Sequence, residues 1–297
     1  MCGVFFSGYI YPALPELAFA SAFTNSRTVA AICLFGIMAN ICLASCDSLD
    51  IPLDDKLFER ATSIYNNLPE VLTQPSIDEH LNFFGNLVLS HGVQDVIGFH
   101  LPHSHYPIPD NTILLGTNIN VQGTNVEALI RRWAKPTPIE DVRGKQIHGH
   151  IYVVRSDGSL HPYEFQLGHA PDLSGIDLSH FLRDFAKAVK EKGLQKLIAL
   201  EVLDPENTDR TLYEFIVNRV NHVLVDASMA KELVQTRTTG WTIKGEGNGG
   251  VRVLKNTAYA PPKEKGDSHI VYTDGKPDAK LETVSELARA LAHVTGN

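Results

Sequence analysis

Residues 146–167 constrain the fold most. A β-branched, apolar run, Gln146 to Val154, meets a Ser156-Asp-Gly158 turn, and a second such run, Ser159 to Leu167, follows it. Two strand-like runs split by a short glycine-containing turn predict an antiparallel hairpin. Val93 to Leu101 and Thr112 to Ile119 read as two more strands, joined by a loop carrying Pro107, Pro109 and Asp110-Asn111. They are expected to pair across that loop. Lys196 to Leu203 reads as a buried strand, and Trp241 to Lys244 and Val251 to Lys255 flank a glycine-rich turn. Thr211 to Val225 stays open between strand and helix, because its β-branched alternation favours one and its length permits the other. Residues 120–145 read as loop-rich.

Helical signals are separate from these. Asp54 to Leu68 forms one helix. Ser76-Ile-Asp-Glu79 is a capping box opening a second, which Gly92 closes. Asp177 caps the clearest helix, Leu178 to Lys192, ended by Gly193. Val284, Leu287, Leu291 and Val294 share a face of a C-terminal helix. Hairpins and helices without regular βαβ alternation predict an α+β fold, an antiparallel β-sheet flanked by helices, as a single domain over 52–297.

Residues 1–51 are expected to be a hydrophobic leader. Thr28 to Cys46 carries no charge and is long enough to cross a bilayer, with Arg27 before it and Asp47 after it. A membrane anchor, a secretory signal, an upstream extension of the gene and a buried helix are the open readings. All four cysteines (Cys2, Cys33, Cys42, Cys46) lie here. The body therefore has no disulfide framework, thiolate nucleophile or thiolate metal ligand, which suits the cytoplasm, while the leader allows a membrane or secretory route. The net charge is -8 and the basic clusters, Arg131-Arg132 and Lys263-Glu-Lys265, are small. Nucleic acid is thus not an expected partner, since phosphate neutralisation needs a basic face.

Chemistry concentrates in histidine. His100, His103 and His105 fall within six residues, and His148 and His150 follow. In an extended chain residues i and i+2 share a face, so each H-x-H pair can present two imidazoles together. Neighbouring strands would let four imidazoles meet. Two or three of them with one carboxylate from Asp110, Glu164 or Glu201 would suit Zn or Fe(II). His100 joins them only if Pro102 bends the chain. The candidate ligands are His100, His103, His105, His148, His150 and Glu164, and His103, His105, His148 and His150 are the candidate acid–base groups. The competing reading is a polar layer of the sheet. His161 could join His148 and His150 across the hairpin. Gly245-Glu-Gly247-Asn-Gly-Gly250 has the G-x-G-x-x-G spacing, but a strand-like run follows it where a dinucleotide site needs a helix. It reads as a turn.

Gly98, His103, His105, Asp110 and Gly116 follow the order of the first cupin motif, with Asp in place of the usual Glu. The segment resembles the cupins in this, without their second motif, and the resemblance implies a small β-barrel with metal chemistry. The order of Gly-Phe-His100, His103, His105, Pro-Tyr-Glu164-Phe, Phe181 and Trp241 also resembles an uncharacterised family of fungal proteins, which implies one fold from about residue 52 onward. The expected function is a small-molecule enzyme with a His-rich, metal-dependent site, in a specialised biosynthetic pathway. The alternative is a non-catalytic binding or accessory protein whose histidines are structural.

Overall fold

A computed structural model of the chain describes residues 49, 52–122, 126–173, 175–229, 237–247, 249–259, 270–271 and 281–295. The leader, including residues 28–46, lies outside them. Among the described residues no helix is long and apolar enough to cross a membrane.

Among the described residues eleven strands form one sheet: β1 (Ile97–His100), β2 (Thr112–Asn118), β3 (Ile130–Pro138), β4 (Ile147–Val154), β5 (Leu160–Leu167), β6 (Ala199–Val202), β7 (Leu212–Val217), β8 (Asn221–Asp226), β9 (Arg237–Gly245), β10 (Val251–Tyr259) and β11 (Ile270–Val271). Their order is β10-β9-β1-β6-β4-β5-β2-β3-β8-β7-β11, and β10 also pairs with β7. That pairing closes ten strands into a barrel. The expected open antiparallel sheet flanked by helices is therefore wrong. Three of the seams, β2–β5, β7–β10 and β7–β11, are parallel. The remaining seams are antiparallel.

The expected β1–β2 hairpin does not form either. β1 lies between β6 and β9, and β2 between β3 and β5. The β4–β5 hairpin does form, with Gly158 at φ 90 in its turn. The β9–β10 hairpin crosses the glycine-rich turn, with Gly249 at φ 81. The segment 211–225 resolves into β7 and β8, joined through Asn218 and Arg219, both at positive φ. Residues 130–138, expected as loop, are β3, paired on both edges despite two prolines.

The helices lie against the wall: α1 (Asp55–Asn66), α2 (Asp78–Ser90), a single turn α3 (Ile139–Val142), α4 (Leu178–Glu191) and α5 (Val284–Thr295). Asp54 caps α1 by accepting from Leu57 N at 2.8 Å, and Asp177 caps α4 by accepting from Ser179 N at 3.1 Å. Phe84 of α2, Phe185 of α4 and Phe99 of β1 form one ring cluster with centroids 5.6–5.9 Å apart. α5 packs Leu287 and Leu291 with Phe215, Val223 and Val225 of β7 and β8. Helices outside and side chains inside bury both faces of the wall, so β1, β6 and β8 are buried at every position.

α1 runs along β2 and β5. The Arg60 guanidinium lies 2.9 Å from His161 Nε2 and donates to it, so His161 faces α1 and not His148 or His150. Burial, then the charges of Arg60 and Arg155, pull His161 from its ordinary value of 6.5 down to about 4. Below pH 6.5 the unfolded chain takes up a proton that the folded chain refuses. The contribution of this contact is complete above about pH 6.5 and falls as the pH drops towards 4. In H161Q the amide oxygen keeps the Arg60 bond and removes the titration. Urea unfolding from pH 7 to 4 is expected to show a shallower loss of stability in H161Q than in the natural protein. Identical slopes would refute the contact.

Candidate functional site

The segment after β1 carries the first three histidines inward. The chain bends at His105 and Tyr106, and neighbours fix the segment by its backbone. Leu101 N donates to Thr239 O at 2.7 Å, Gln74 Nε2 donates to Pro102 O at 2.8 Å, and His105 N donates to Tyr65 Oη at 3.3 Å. Asn66 holds Ile108 through both of its backbone polar groups. His103 and His105 keep the i, i+2 relation, and their ring centroids stand 4.6 Å apart. His100 reaches the same region, its ring stacked on His103 at 5.2 Å.

Their partner is a residue the histidine pattern did not flag, Glu214 of β7. Its Oε1 lies 3.0 Å from His103 Nε2, 2.6 Å from His105 Nε2 and 3.0 Å from His222 Nε2. Its Oε2 accepts from Thr239 Oγ1 at 2.9 Å. All four side chains of this centre are at most 3% exposed. Glu214 and His222 come together through the β7–β8 register: Glu214 pairs with Leu224, and His222 sits two residues along on the same face. Trp133 of β3 steadies that strand by donating Nε1–H to Asn221 Oδ1 at 2.9 Å.

Three ring nitrogens thus crowd one oxygen that has two lone pairs. His103 Nδ1 lies 2.6 Å from Leu101 O and donates to it. In the neutral ring Nε2 then carries a lone pair pointed at a carboxylate, an arrangement that needs a proton or a cation between them. Both nitrogens of His222 lack a hydrogen-bond partner among the described residues, so Nε2 is near Oε1 without being bonded to it. Donor atoms about 2.1 Å from one ion stand about 3.0–3.4 Å apart. The His103 and His222 separations match that spacing, and donor atoms of His103, His105 and Glu214 all lie within 4.8 Å of one another.

Electrostatics agree with a site poised for positive charge. Burial pushes Glu214 up, but the charges of His103, His105 and His222 outweigh it and hold the carboxyl well below its ordinary range. Burial pushes His103 down, and Glu214's charge, with hydrogen bonds to Glu214 and Leu101, raises it above its ordinary value nonetheless. Burial keeps His105 well below its ordinary value, against the pull of Glu214.

The second H-x-H pair goes elsewhere. His148 is half-buried and donates from Nδ1 to Gly168 O at 3.2 Å. His150 sits at a bulge between Gly149 and Ile151, without a cross-strand partner in the β4–β5 ladder. Its Nε2 lies 3.7 Å from Glu201 Oε1, while His100 Nδ1 lies 3.8 Å from Glu201 Oε2. The two pairs do not surround one point. Glu164 is bound to Arg132, whose Nη2 donates to its Oε2 at 3.1 Å and whose Nε donates to Gln166 Oε1 at 3.0 Å. Asp110, at the acidic position of the cupin-like segment, is exposed. Gly116, the last residue of that segment, makes room for Arg132, since a Cβ there would fall on the guanidinium.

A cleft of about 180 Å³ opens beside these residues, lined by Arg132, His148, His150, Gln166 and Glu201. Leu212 and Leu224 line it too, two residues along from Glu214 and His222 on the same strand faces. The Glu214 centre therefore lies one layer of side chains away from the cleft. Comparison with protein-family models, curated proteins and solved structures finds no match for this chain.

The Arg132 network tests the cleft floor. G116A is expected to displace the guanidinium from Glu164 and Gln166 and to cost about 1–3 kcal/mol of unfolding free energy. R132K/G116A should be no less stable than R132K alone, because the shorter cation leaves space for the methyl group. Equal stability of G116A and the natural protein in chemical denaturation would contradict the packing.

Proposed function

We propose that this barrel is a metal-dependent enzyme for a small organic molecule, with His103, His105, His222 and Glu214 holding a divalent ion, Zn or Fe(II). The observation that carries the reading is the convergence of three imidazole nitrogens on the single oxygen Glu214 Oε1. Three nitrogens and one carboxylate oxygen are a donor set suited to either metal. Such an ion, when bound, polarises a coordinated water or carbonyl group, or binds O₂ if it is iron. The chain supplies the rest. Leu101 O orients the His103 ring, and Thr239 occupies the second oxygen of Glu214. His148 stands at the cleft with Nδ1–H held by Gly168 O, which leaves Nε2 as a lone pair facing a substrate. Burial lowers its affinity for a proton, so the ring stays neutral at neutral pH and serves as general base. The cleft is small, so the substrate is small or extends into solvent.

A second reading rests on a specific observation as well: none of the four ligands lines the cleft. Structural metal sites are closed and catalytic ones keep an open position. On this reading the ion fastens the segment 101–111 to the barrel. Water proton relaxation of the Co(II)-loaded protein separates the two, because only the enzyme reading requires an exchangeable inner-sphere water.

Elemental analysis of the purified full chain is expected to find stoichiometric Zn or Fe. The H103A/H105A double variant should lose one equivalent, and chelation should lower the melting temperature of the natural protein. Metal-free protein, or metal content unchanged by the double variant, overturns the reading.

A further inference from the structure

Glu201 is the second buried acid with histidine neighbours, and the centre just described does not use it. It lies on β6 opposite Gly98 of β1. Its side chain is 9% exposed, His100 is 5% exposed and His150 is 7% exposed. Each carboxylate oxygen faces one ring: Oε2 faces His100 Nδ1 at 3.8 Å and Oε1 faces His150 Nε2 at 3.7 Å. Neither separation is a hydrogen bond. Glu201 Oε2 and His100 Nδ1 both lack a hydrogen-bond partner among the described residues. A buried carboxylate oxygen without a donor is costly, and so is a buried ring nitrogen without a partner. The nearby guanidinium of Arg132 does not answer this need, because its Nε and Nη2 are directed at Gln166 and Glu164.

We propose that Glu201, His100 and His150 form a second divalent-metal site, at the inner end of the cleft. The inference rests on the barrel's being a metal protein and adds a distinct site to it. The donor set is two imidazoles and one carboxylate, with each oxygen next to one ring. A transition metal such as Zn or Fe(II) is the class of ion that this mixture of nitrogen and oxygen suits. The donor atoms of the three residues do not all lie within 4.8 Å of one another, so loading draws the two imidazoles in towards the carboxylate from the 3.7 and 3.8 Å at which they stand. His150 and Glu201 line the cleft, so this ion keeps positions open to water or substrate, which the enclosed Glu214 centre does not. His150 is the unpaired residue at the bulge between Gly149 and Ile151, beside the Ile151 that pairs with Glu201. The stack of His100 on His103 places the two centres side by side.

Equilibrium dialysis of the full chain against Zn(II), followed by elemental analysis, tests this directly. The natural protein should hold two ions, E201Q and H150Q one each, and E214Q one. One ion in the natural protein that survives E201Q and H150Q overturns the second site and leaves the Glu214 centre standing. One ion that E201Q abolishes and E214Q retains supports the second site and overturns the Glu214 centre. No ion at all overturns both. Far-UV circular dichroism checks that each variant is folded. If E201Q does not fold, H150Q and the natural stoichiometry decide, and a single ion in the natural protein that H150Q retains counts against the proposal.

Discussion

Three residues of β10, Thr257 to Tyr259, run parallel to Leu212, Tyr213 and Glu214 of β7, and this short ladder turns a curled sheet into a tube. Closure satisfies the backbone groups that an open edge would leave exposed. It also creates an interior that has no counterpart in an open sheet. Side chains aimed at one face of an open sheet meet water or a helix. In the tube they meet each other. Glu214 is itself part of the closing ladder, so the seam that completes the barrel also places the carboxylate on which His103, His105 and His222 converge.

That interior is unusual in its content. Among its buried carboxylates, Glu164 has a fixed cation, Arg132, bonded to it, and Asp226 has Arg210. Glu214 relies on imidazoles, and Glu201 has imidazoles at a distance too long for hydrogen bonds. Buried charge of this kind is strongly disfavoured unless it is paired. The apolar side chains that fill the space between, such as Ile151, Ala199 and Ile216, exclude water and leave the charges to settle among themselves or with an ion. The outer shell needs no such device. α2 and α4 cover one flank with phenylalanine rings, and α5 covers another with leucine.

How much of this was legible before the structure varies by element. The Asp177 cap was plain, because an Asp ahead of an amphipathic run acts locally; the Ser76 to Glu79 box does not form, since Ile77 is the N-cap there without a side-chain bond and Ser76 accepts from Asp78 N instead. The β4–β5 and β9–β10 hairpins were legible for the same reason, their turns being glycine-containing and short. Thr211 to Val225 was not, and that ambiguity concealed half the Glu214 centre. Its clue was present: Leu-Tyr-Glu-Phe-Ile-Val puts one acid in an apolar run, and a charge there has to be paired once the strand is buried. The expected meeting of His148 and His150 with the first pair misled in the opposite way. Period-2 alternation sends i and i+2 to a shared face, and both rings do line one cleft, but His150 faces Glu201 there and neither ring joins His103 and His105 at Glu214.

The amino-acid sequence alone determined the local pieces: where tight turns fall, where most helices begin, that the body has no thiol chemistry, and that His103 and His105 would face the same way. These depend on residues a few positions apart, and nearby chemistry decides them. Tertiary structure alone decided that the sheet closes, that β1 and β2 never pair, and that Glu214 and His222 stand beside His103 across more than a hundred residues of chain. Strand order and register depend on which edges find each other when the whole chain condenses. That outcome is set by long-range packing and the burial of polar groups, and no single segment carries it.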